Sequence, residues 1–164
     1  MPHDEGGSLS LEDLLLAQIQ ASFAGPNTSH PTVLKAVGGL SNAQAVWKPA
    51  PGRHSIWQIV EHLRLNRLYW AERLEGRQLH YIEGDEWPEA AGEDDAAWHR
   101  SITALSEAHE RLTQIIGNLS EQDLLARPMP KVDATLLQIL LWEGPSHDAY
   151  HSGQIRYLRA LQGA

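Results

Sequence analysis

The sequence predicts an all-α protein, a four-helix bundle with up-up-down-down topology and long crossover connections. Two observations predict the helical class. Four long segments carry apolar residues at helical spacing, and no segment shows the alternation of β-branched residues that is typical of strands. A third observation, a weak internal repeat, predicts the topology.

The repeat relates two stretches that have the same order of capping and proline residues. The first contains Leu40-Ser41, Pro49, Pro51 and Ser55-Ile56, and the second contains Leu119-Ser120, Pro128, Pro130 and Thr135-Leu136. Each copy indicates a helix, a long proline-containing crossover and a second helix. A long connection lets neighbouring helices run parallel, whereas a short turn makes them antiparallel. Two such units predict the up-up-down-down order.

Capping boxes indicate where the helices begin, because a Ser or Thr side chain and a residue three positions later satisfy each other's backbone groups. The first helix is expected to begin at Ser10, with Asp13 as its box partner, and to run to about Phe23. After Gly25-Pro26, a short apolar segment from Thr32 to Leu40 is expected to continue along the same rod.

The second helix is expected to begin at Ser55, with Gln58 as its box partner, and to bury an apolar stripe. The acidic stretch from Glu83 to Asp95 indicates a solvated loop. The third helix is expected to span about Asp94 to Gly117, and the fourth about Ala134 to Leu161.

Composition limits the class of protein. Hydrophobic residues make up 42% and charged residues 21% of the chain, as is typical of a globular protein. The length of 164 residues fits one domain, which is expected over residues 9–164 behind a flexible N-terminal tail, residues 1–8. The tail lacks the features of a secretory signal and no apolar run is long enough to span a membrane, so a cytoplasmic location is expected. A net charge of −8 without a Lys/Arg cluster argues against nucleic-acid binding.

The chain contains no cysteine. This excludes disulfides, thiolate metal sites and cysteine nucleophiles, so any metal would be held by His, Asp or Glu. Any thiol that takes part in a reaction would come from a diffusible cosubstrate.

The most informative motif is the pair His147 and His151 in the fourth predicted helix. Residues four apart share a helix face, so the two imidazoles can bind one transition-metal ion. An exposed pair without a metal fits this spacing equally well. His62, on the flank of the apolar stripe of the second helix, is the candidate third ligand, although its position also suits a core-edge histidine. Pro145 lacks the N–H that an α-helix needs, and it predicts a kink or break just before the pair.

Together the three histidines favour a metal site inside the bundle, because bundles bring side chains from separate helices to one point. Three neutral imidazoles leave coordination positions open, which is a catalytic pattern rather than a closed structural one. The donor set suits Zn²⁺, Ni²⁺ or Fe²⁺.

These motifs resemble the DinB/YfiT-like family. The likeness rests on the segments Ser55–Leu63 and His147–Ile155, and it extends over nearly the whole chain. The resemblance implies a four-helix bundle with a three-histidine metal site, whose ligands correspond to His62, His147 and His151. It also implies a homodimer and, as in superfamily members of known activity, metal-dependent transfer or isomerisation with low-molecular-weight thiols such as bacillithiol or mycothiol.

Four other side chains near the motif are candidates for supporting roles: Glu61, Glu143, Asp148 and Gln154. Asp148 invites comparison with the general base of H-E-x-x-H sites. The position after a ligand points about 100° away from it, so a hydrogen bond to a ligand imidazole or solvent exposure is expected instead. Gln154 is expected to line the pocket or to pack beside His151. No catalytic residue is assigned, and the histidines at positions 3, 30, 54, 80, 99 and 109 are not expected to be ligands.

Three functions compete at this point. The first is a metal-dependent enzyme, a thiol-dependent S-transferase or a hydrolase, that acts on a small electrophilic substrate. The second is a non-catalytic metal-binding stress-response protein of the damage-inducible type, in which the metal mainly stabilises the bundle. The third is an interaction module that dimerises through one bundle face and in which the histidines are incidental.

Overall fold

A computed structural model describes residues 9–27, 29–77 and 86–164 of the chain. Within these ranges the secondary structure is helical and no strand occurs, which confirms the all-α prediction. The predicted tail at residues 1–8 lies outside the described residues, and the two histidines at positions 3 and 80 lie outside them as well. The helices of the described ranges are α1 Leu11–Phe23, α2 Val33–Val37, α3 Asn42–Val46, α4 Ile56–Leu74, α5 Asp95–Ile116, α6 Glu121–Leu125, α7 Leu136–Leu141 and α8 His147–Gln162, with a π-helical turn at Trp142–Ser146.

The predicted capping boxes set the helix starts. Ser10 with Asp13 caps α1, and Ser55 with Gln58 caps α4. Capping boxes also explain the sequence repeat, because each copy has a short helix with a capping box, a loop and a longer helix with a capping box. The short helices α3 and α6 were not predicted, since five residues carry too few apolar positions to show a helical period.

Helices α4 and α5 run parallel. Near their first turns, the rings of Trp57 and Trp98 have centroids 5.4 Å apart. At the other end, Arg111 of α5 donates to Glu75, the residue that follows α4, at 2.6 Å. The long connection between these two helices allows them to share a direction.

The rod formed by α7, the π-helical turn and α8 runs antiparallel to α4. Asn66 Nδ2 donates to Glu143 Oε2 at 2.8 Å. One turn earlier in α4, the ring of His62 lies 4.9 Å from the ring of His151, two turns later in the rod. Moving back along α4 therefore corresponds to moving forward along the rod.

Helix α1 runs parallel to the same rod. A Cβ added to Gly144 would lie 3.3 Å from Ile19 Cγ1, and one turn further along both elements Ser22 donates to Asp148 at 2.8 Å. The predicted up-up-down-down order is therefore wrong, because α1 and the rod run one way while α4 and α5 run the other. A long connection permits a parallel pair but does not require one. The connection from α1 to α4 contains α2 and α3 and has room to return the chain.

The α-helix is interrupted just before the histidine pair, as Pro145 predicts. The chain forms a π-helical turn over Trp142–Ser146, and the α-helix resumes at His147. A π-helical turn bonds residues five apart, so it changes the register of the hydrogen bonds where the proline has no N–H to offer.

In the described part of the chain, the core consists of two apolar clusters. One is built around Trp57 and Trp98, and the other around Trp70 and Ile116. Each of the helices α1, α4, α5 and α8 has a buried polar side chain between the residues of the two clusters. These side chains form a polar layer: Ser22, Arg67, His109 and Asp148. Within the described ranges, no helix is both long and apolar enough to cross a membrane.

Candidate metal centre

The structure brings His62, His147 and His151 together. His147 Nε2 lies 3.1 Å from His62 Nε2 and 2.9 Å from His151 Nε2, and the three ligand atoms all lie within 4.8 Å of one another. Metal–nitrogen bonds of about 2.0–2.1 Å place two tetrahedral ligands roughly 3.3 Å apart. The spacing of the three nitrogens is therefore close to that of a ligand set.

The outer nitrogens of two of these rings have hydrogen-bond acceptors. His62 Nδ1 lies 2.9 Å from the backbone carbonyl oxygen of Glu86, and His151 Nδ1 lies 2.7 Å from Gln154 Oε1. Both acceptors hold the proton on Nδ1, which leaves a lone pair on each Nε2. Such a partner on the outer nitrogen is the usual arrangement for a histidine that binds a metal.

The third ring, His147, lacks such a partner. Its Nδ1 is buried and has no hydrogen bond, while its Nε2 faces the two Nε2 lone pairs of His62 and His151. A single N–H on His147 cannot serve both neighbours with good geometry. A cation at the centre would satisfy all three inner nitrogens, so the residues fit a metal ion.

Burial keeps the three imidazoles neutral. It lowers the pKa of His147 to about 4 and that of His151 to about 3, and repulsion between the neighbouring rings acts in the same direction. The pKa of His62 is also lowered, mainly by burial. Neutral rings bind a metal without first losing a proton.

The sequence model of the DinB superfamily matches residues 28–155, a range that contains all three histidines. The chain belongs to the DinB superfamily. No curated protein and no solved structure gives a significant match. Family membership confirms the resemblance inferred from the motifs, and it is compatible with a metal-binding protein.

The loop before α5 covers one side of the histidine cluster in this DinB superfamily member. Trp87 stacks on His62 with ring centroids 4.2 Å apart, and it also stacks on His54 at 3.8 Å. Its backbone carbonyl accepts from Gln58 Nε2 at 3.2 Å, which ties the loop to the first turn of α4. Residues 86–94 are therefore more than the solvated connector that was predicted, whereas residues 83–85 lie outside the described part of the chain.

Asp148 belongs to a separate buried network. Its Oδ1 accepts from Arg67 Nη2 at 2.6 Å and its Oδ2 accepts from Ser22 Oγ at 2.8 Å. The side chain of Arg67 is 4% exposed and that of Asp148 is 0% exposed. Both carboxylate oxygens are engaged with α1 and α4, so Asp148 is neither solvent-exposed nor bonded to a ligand imidazole, the two roles expected from the sequence.

The same network contains His109, which is distinct from the metal candidates. Its Nε2 lies 3.0 Å from Gln20 Oε1, and its Nδ1 accepts from Arg67 Nε at 3.5 Å. Phe23 stacks on its ring at 3.8 Å. Burial and the adjacent arginine lower the pKa of His109 to about 3.

The other candidates take different positions. Gln154 bonds to His151, so it orients a candidate ligand rather than only packing beside it. Glu61 pairs with Arg64 at 2.8 Å, and Glu143 is held by Asn66. Sequence reasoning missed Trp87 and Arg67. The signal for Arg67 was present, since it falls on the apolar stripe of α4, but the tryptophan lies in a loop that has no periodicity.

Proposed function

We propose that this protein is a metal-dependent enzyme, which binds one divalent transition-metal ion (Zn²⁺, Ni²⁺ or Fe²⁺) through Nε2 of His62, His147 and His151. The observation that carries the proposal is the approach of these three nitrogens, two of which are held as lone-pair donors by their outer partners. Three protein ligands are typical of catalytic sites, which keep a coordination position for water or substrate.

We propose hydrolysis or thiol-dependent S-transfer on a small electrophilic substrate as the reaction. A metal ion held by three imidazoles lowers the pKa of a bound water or thiol, so that a nucleophile is available at neutral pH. The thiol would be a low-molecular-weight cosubstrate, because the chain has no cysteine of its own.

The protein's own side chains would position the site and receive the proton. Glu86 and Gln154 orient two of the rings, and Trp87 shields one face of the cluster from water. Glu143 is half-buried one turn before His147, and its charge acts on His62. We assign to Glu143 the role of accepting the proton that the nucleophile loses.

The fold that supports this site is proposed to be one domain over residues 9–164. In it, α1, α4, α5 and the α7–α8 rod would form a four-helix bundle. The support is that the long helices contribute to both apolar clusters and to the polar layer between them. A cytoplasmic location is part of the same proposal.

A second candidate is a non-catalytic metal-binding stress-response protein. It is favoured by one observation, namely that the three imidazoles come from two elements far apart in sequence. A metal ion between α4 and α8 would cross-link them and stabilise the bundle by binding the native state alone.

The test is metal content and turnover of protein purified without a histidine tag. We expect one metal ion per chain, its loss in His62→Ala, and its retention in His99→Ala, which removes an exposed histidine. Conjugation of a small thiol to 1-chloro-2,4-dinitrobenzene and hydrolysis of p-nitrophenyl acetate are the probe reactions. A chelator and Glu143→Gln should each suppress turnover, and only the chelator should remove metal.

The outcomes separate the candidates. Turnover that depends on the metal supports the enzyme. Stoichiometric metal whose removal lowers the melting temperature, with no turnover in either reaction, supports the structural role. Protein without stoichiometric metal, or with metal that His62→Ala leaves in place, contradicts both.

A further inference from the structure

Two carboxylates lie beside the histidine cluster. Glu143 is one turn before His147, and Asn66 Nδ2 donates to its Oε2 at 2.8 Å. Glu86 provides the carbonyl oxygen that lies 2.9 Å from His62 Nδ1. Both side chains are half-buried, and both charges raise the pKa of His62 against the larger, opposite effect of burial. Within the described ranges, neither carboxylate forms an ion pair. We call these two groups the flanking carboxylates.

The positive charges that act on the cluster do not cancel the flanking carboxylates. Arg67 acts on His147, but its guanidinium pairs with Asp148 at 2.6 Å, and both side chains are buried. At a distance, the two charges of that pair offset each other. His54 acts on His62, and it adds a positive charge only when it is protonated. Among the described groups that act on the three rings, negative charge is therefore in excess.

The flanking carboxylates match the charge of the ion that the cluster fits. Three neutral imidazoles add no charge of their own, so a divalent ion would bring two positive charges against two negative ones. The occupied site would then be neutral as a whole, and it would not attract an anionic ligand from a distance. An ammonium group beside a carboxylate would still be favourable, because half-buried charges are screened less than exposed ones.

Two aromatic side chains border the same cluster. The ring of Trp87 lies 5.9 Å from that of His151 at an angle of 68°, and the ring of Tyr150 lies 4.9 Å from it at 77°. Tyr150 is 63% exposed, so a ligand can reach its ring. Glu143, His147 and Tyr150 are four and three residues apart, so a carboxylate, an imidazole and an aromatic ring share one face of the rod. Aromatic faces attract ammonium groups.

We propose that the substrate of this site carries a positive charge, as a primary or quaternary ammonium group close to the atom that reacts. This inference rests on the proposed function, because the ammonium group is recognised beside the metal centre. Glu86 and Glu143 supply the opposite charge, and Tyr150 supplies an aromatic face. Glu86 has no part in the proton transfer, so its charge is present throughout the reaction. Substrates that carry a carboxylate or a phosphate are rejected by like charge.

The test uses Co²⁺-loaded protein and three thiols that differ in charge. Thiocholine carries a quaternary ammonium group, 3,3-dimethylbutane-1-thiol is its uncharged isostere, and 2-mercaptoethanesulfonate is an anion. Binding of a thiolate changes the visible absorption of Co²⁺, so the affinities are measured without turnover. The affinity for each charged thiol is divided by the affinity for the neutral isostere in the same protein. This ratio removes any general change in the metal centre that a substitution causes.

Glu86→Gln removes one flanking charge and keeps the backbone carbonyl that His62 uses. We expect the thiocholine ratio to fall about fivefold, as for one charge about 8 Å away at an effective dielectric constant of about 40. The mercaptoethanesulfonate ratio should rise by a similar factor. Glu121→Gln removes the same charge at an exposed position of α6 and should change neither ratio. Tyr150→Leu should lower the thiocholine ratio about threefold, whereas Tyr150→Phe, which keeps the aromatic face, should not.

The results separate the charge of the substrate from the metal centre itself. One Co²⁺ per chain, with ratios that change in Glu86→Gln and not in Glu121→Gln, supports the inference. One Co²⁺ per chain with equal ratios in wild type and Glu86→Gln, or with a thiocholine ratio that Glu121→Gln lowers as much, overturns the inference and still supports the metal centre. Protein that binds no Co²⁺ overturns both. A thiocholine ratio that Tyr150→Leu leaves unchanged overturns the role of that ring.

Discussion

Two polar clusters that contain histidine lie close together in this molecule, and they differ in how the ring nitrogens are used. In the buried network, both nitrogens of His109 have fixed partners, Gln20 and Arg67. In the cluster of His62, His147 and His151, the inner nitrogens face one another. A histidine with both nitrogens satisfied stabilises the fold without a ligand, whereas three converging ring nitrogens fit a bound cation.

The boundary between the two clusters falls between consecutive residues. His147 contributes to the histidine cluster and Asp148 to the buried network, because neighbouring side chains on a helix point about 100° apart. The comparison therefore predicts that changes at these two positions have separate effects, one on metal binding and one on stability.

The largest effect is expected from Asp148→Ala. It leaves the charge of Arg67 buried without a partner, which costs about 3–5 kcal/mol of unfolding free energy. The measurement is urea unfolding of metal-free protein. Lys48→Ala, which breaks the exposed pair with Glu89, is the control and should cost no more than about 1 kcal/mol. Equal losses in both variants would mean that the buried pair has no special role.

His147→Ala is expected to have the opposite effect to Asp148→Ala, because it should weaken metal binding rather than stability. It removes the central imidazole, so Zn²⁺ affinity measured by calorimetry should fall by more than about 100-fold, beyond the loss caused by changing an outer partner. His109→Ala should retain Zn²⁺ affinity and lose stability. If His109→Ala weakened Zn²⁺ binding as much as His147→Ala, the two clusters would be one functional unit.

Gln154→Leu should have a smaller effect, because it removes only the acceptor that orients His151. Loss of such a partner typically lowers metal affinity by about 10–100-fold. Gln154→Glu keeps an acceptor at this position and should restore most of the affinity. Weak binding in both variants would show that Gln154 acts by packing rather than by its hydrogen bond.

The last effect is absent at neutral pH and develops only as the pH is lowered. The pKa of His109 is about 3 in the folded protein, whereas an unfolded histidine titrates near 6.5. Below pH 6.5 the unfolded chain therefore binds a proton that the native state does not bind until the pH reaches about 3. The unfolding free energy consequently decreases as the pH is lowered through that window. His147 and His151 act in the same direction. In chelator-treated protein, His109→Gln should make this decline shallower, and His99→Gln should leave it unchanged.

The sequence predicted those features that depend on local chemistry. The starts of α1 and α4 followed from Ser10 and Ser55, whose boxes involve neighbours three residues away. The approach of His62 to His147 and His151 was also predicted, because the helical spacing and the family motif both point to it. Whether the three rings hold a metal stays a prediction until metal content is measured.

Features that depend on distant contacts were not predicted. The direction of α1 relative to α4 is set by packing, and a long connection is compatible with either direction. The stacking of Trp87 on His62 joins a loop to a helix, and no periodicity marks it. Arg67 and His109 each fall on an apolar stripe, and a polar residue there indicates a buried partner without naming it.

The π-helical turn at Trp142–Ser146 determines which way the last helix is rotated. An α-helix advances by about 100° per residue, so the loss of one residue from this turn would bring Asp148 to the place that His147 occupies and turn the imidazoles away from α4. The carboxylate would then confront His62 alone, because His151 turns away together with His147, and Arg67 would lose its counterion. The length of this five-residue segment is thus constrained both by the histidine cluster and by the buried pair of Arg67 and Asp148. We expect single insertions or deletions there to abolish folding and metal binding together.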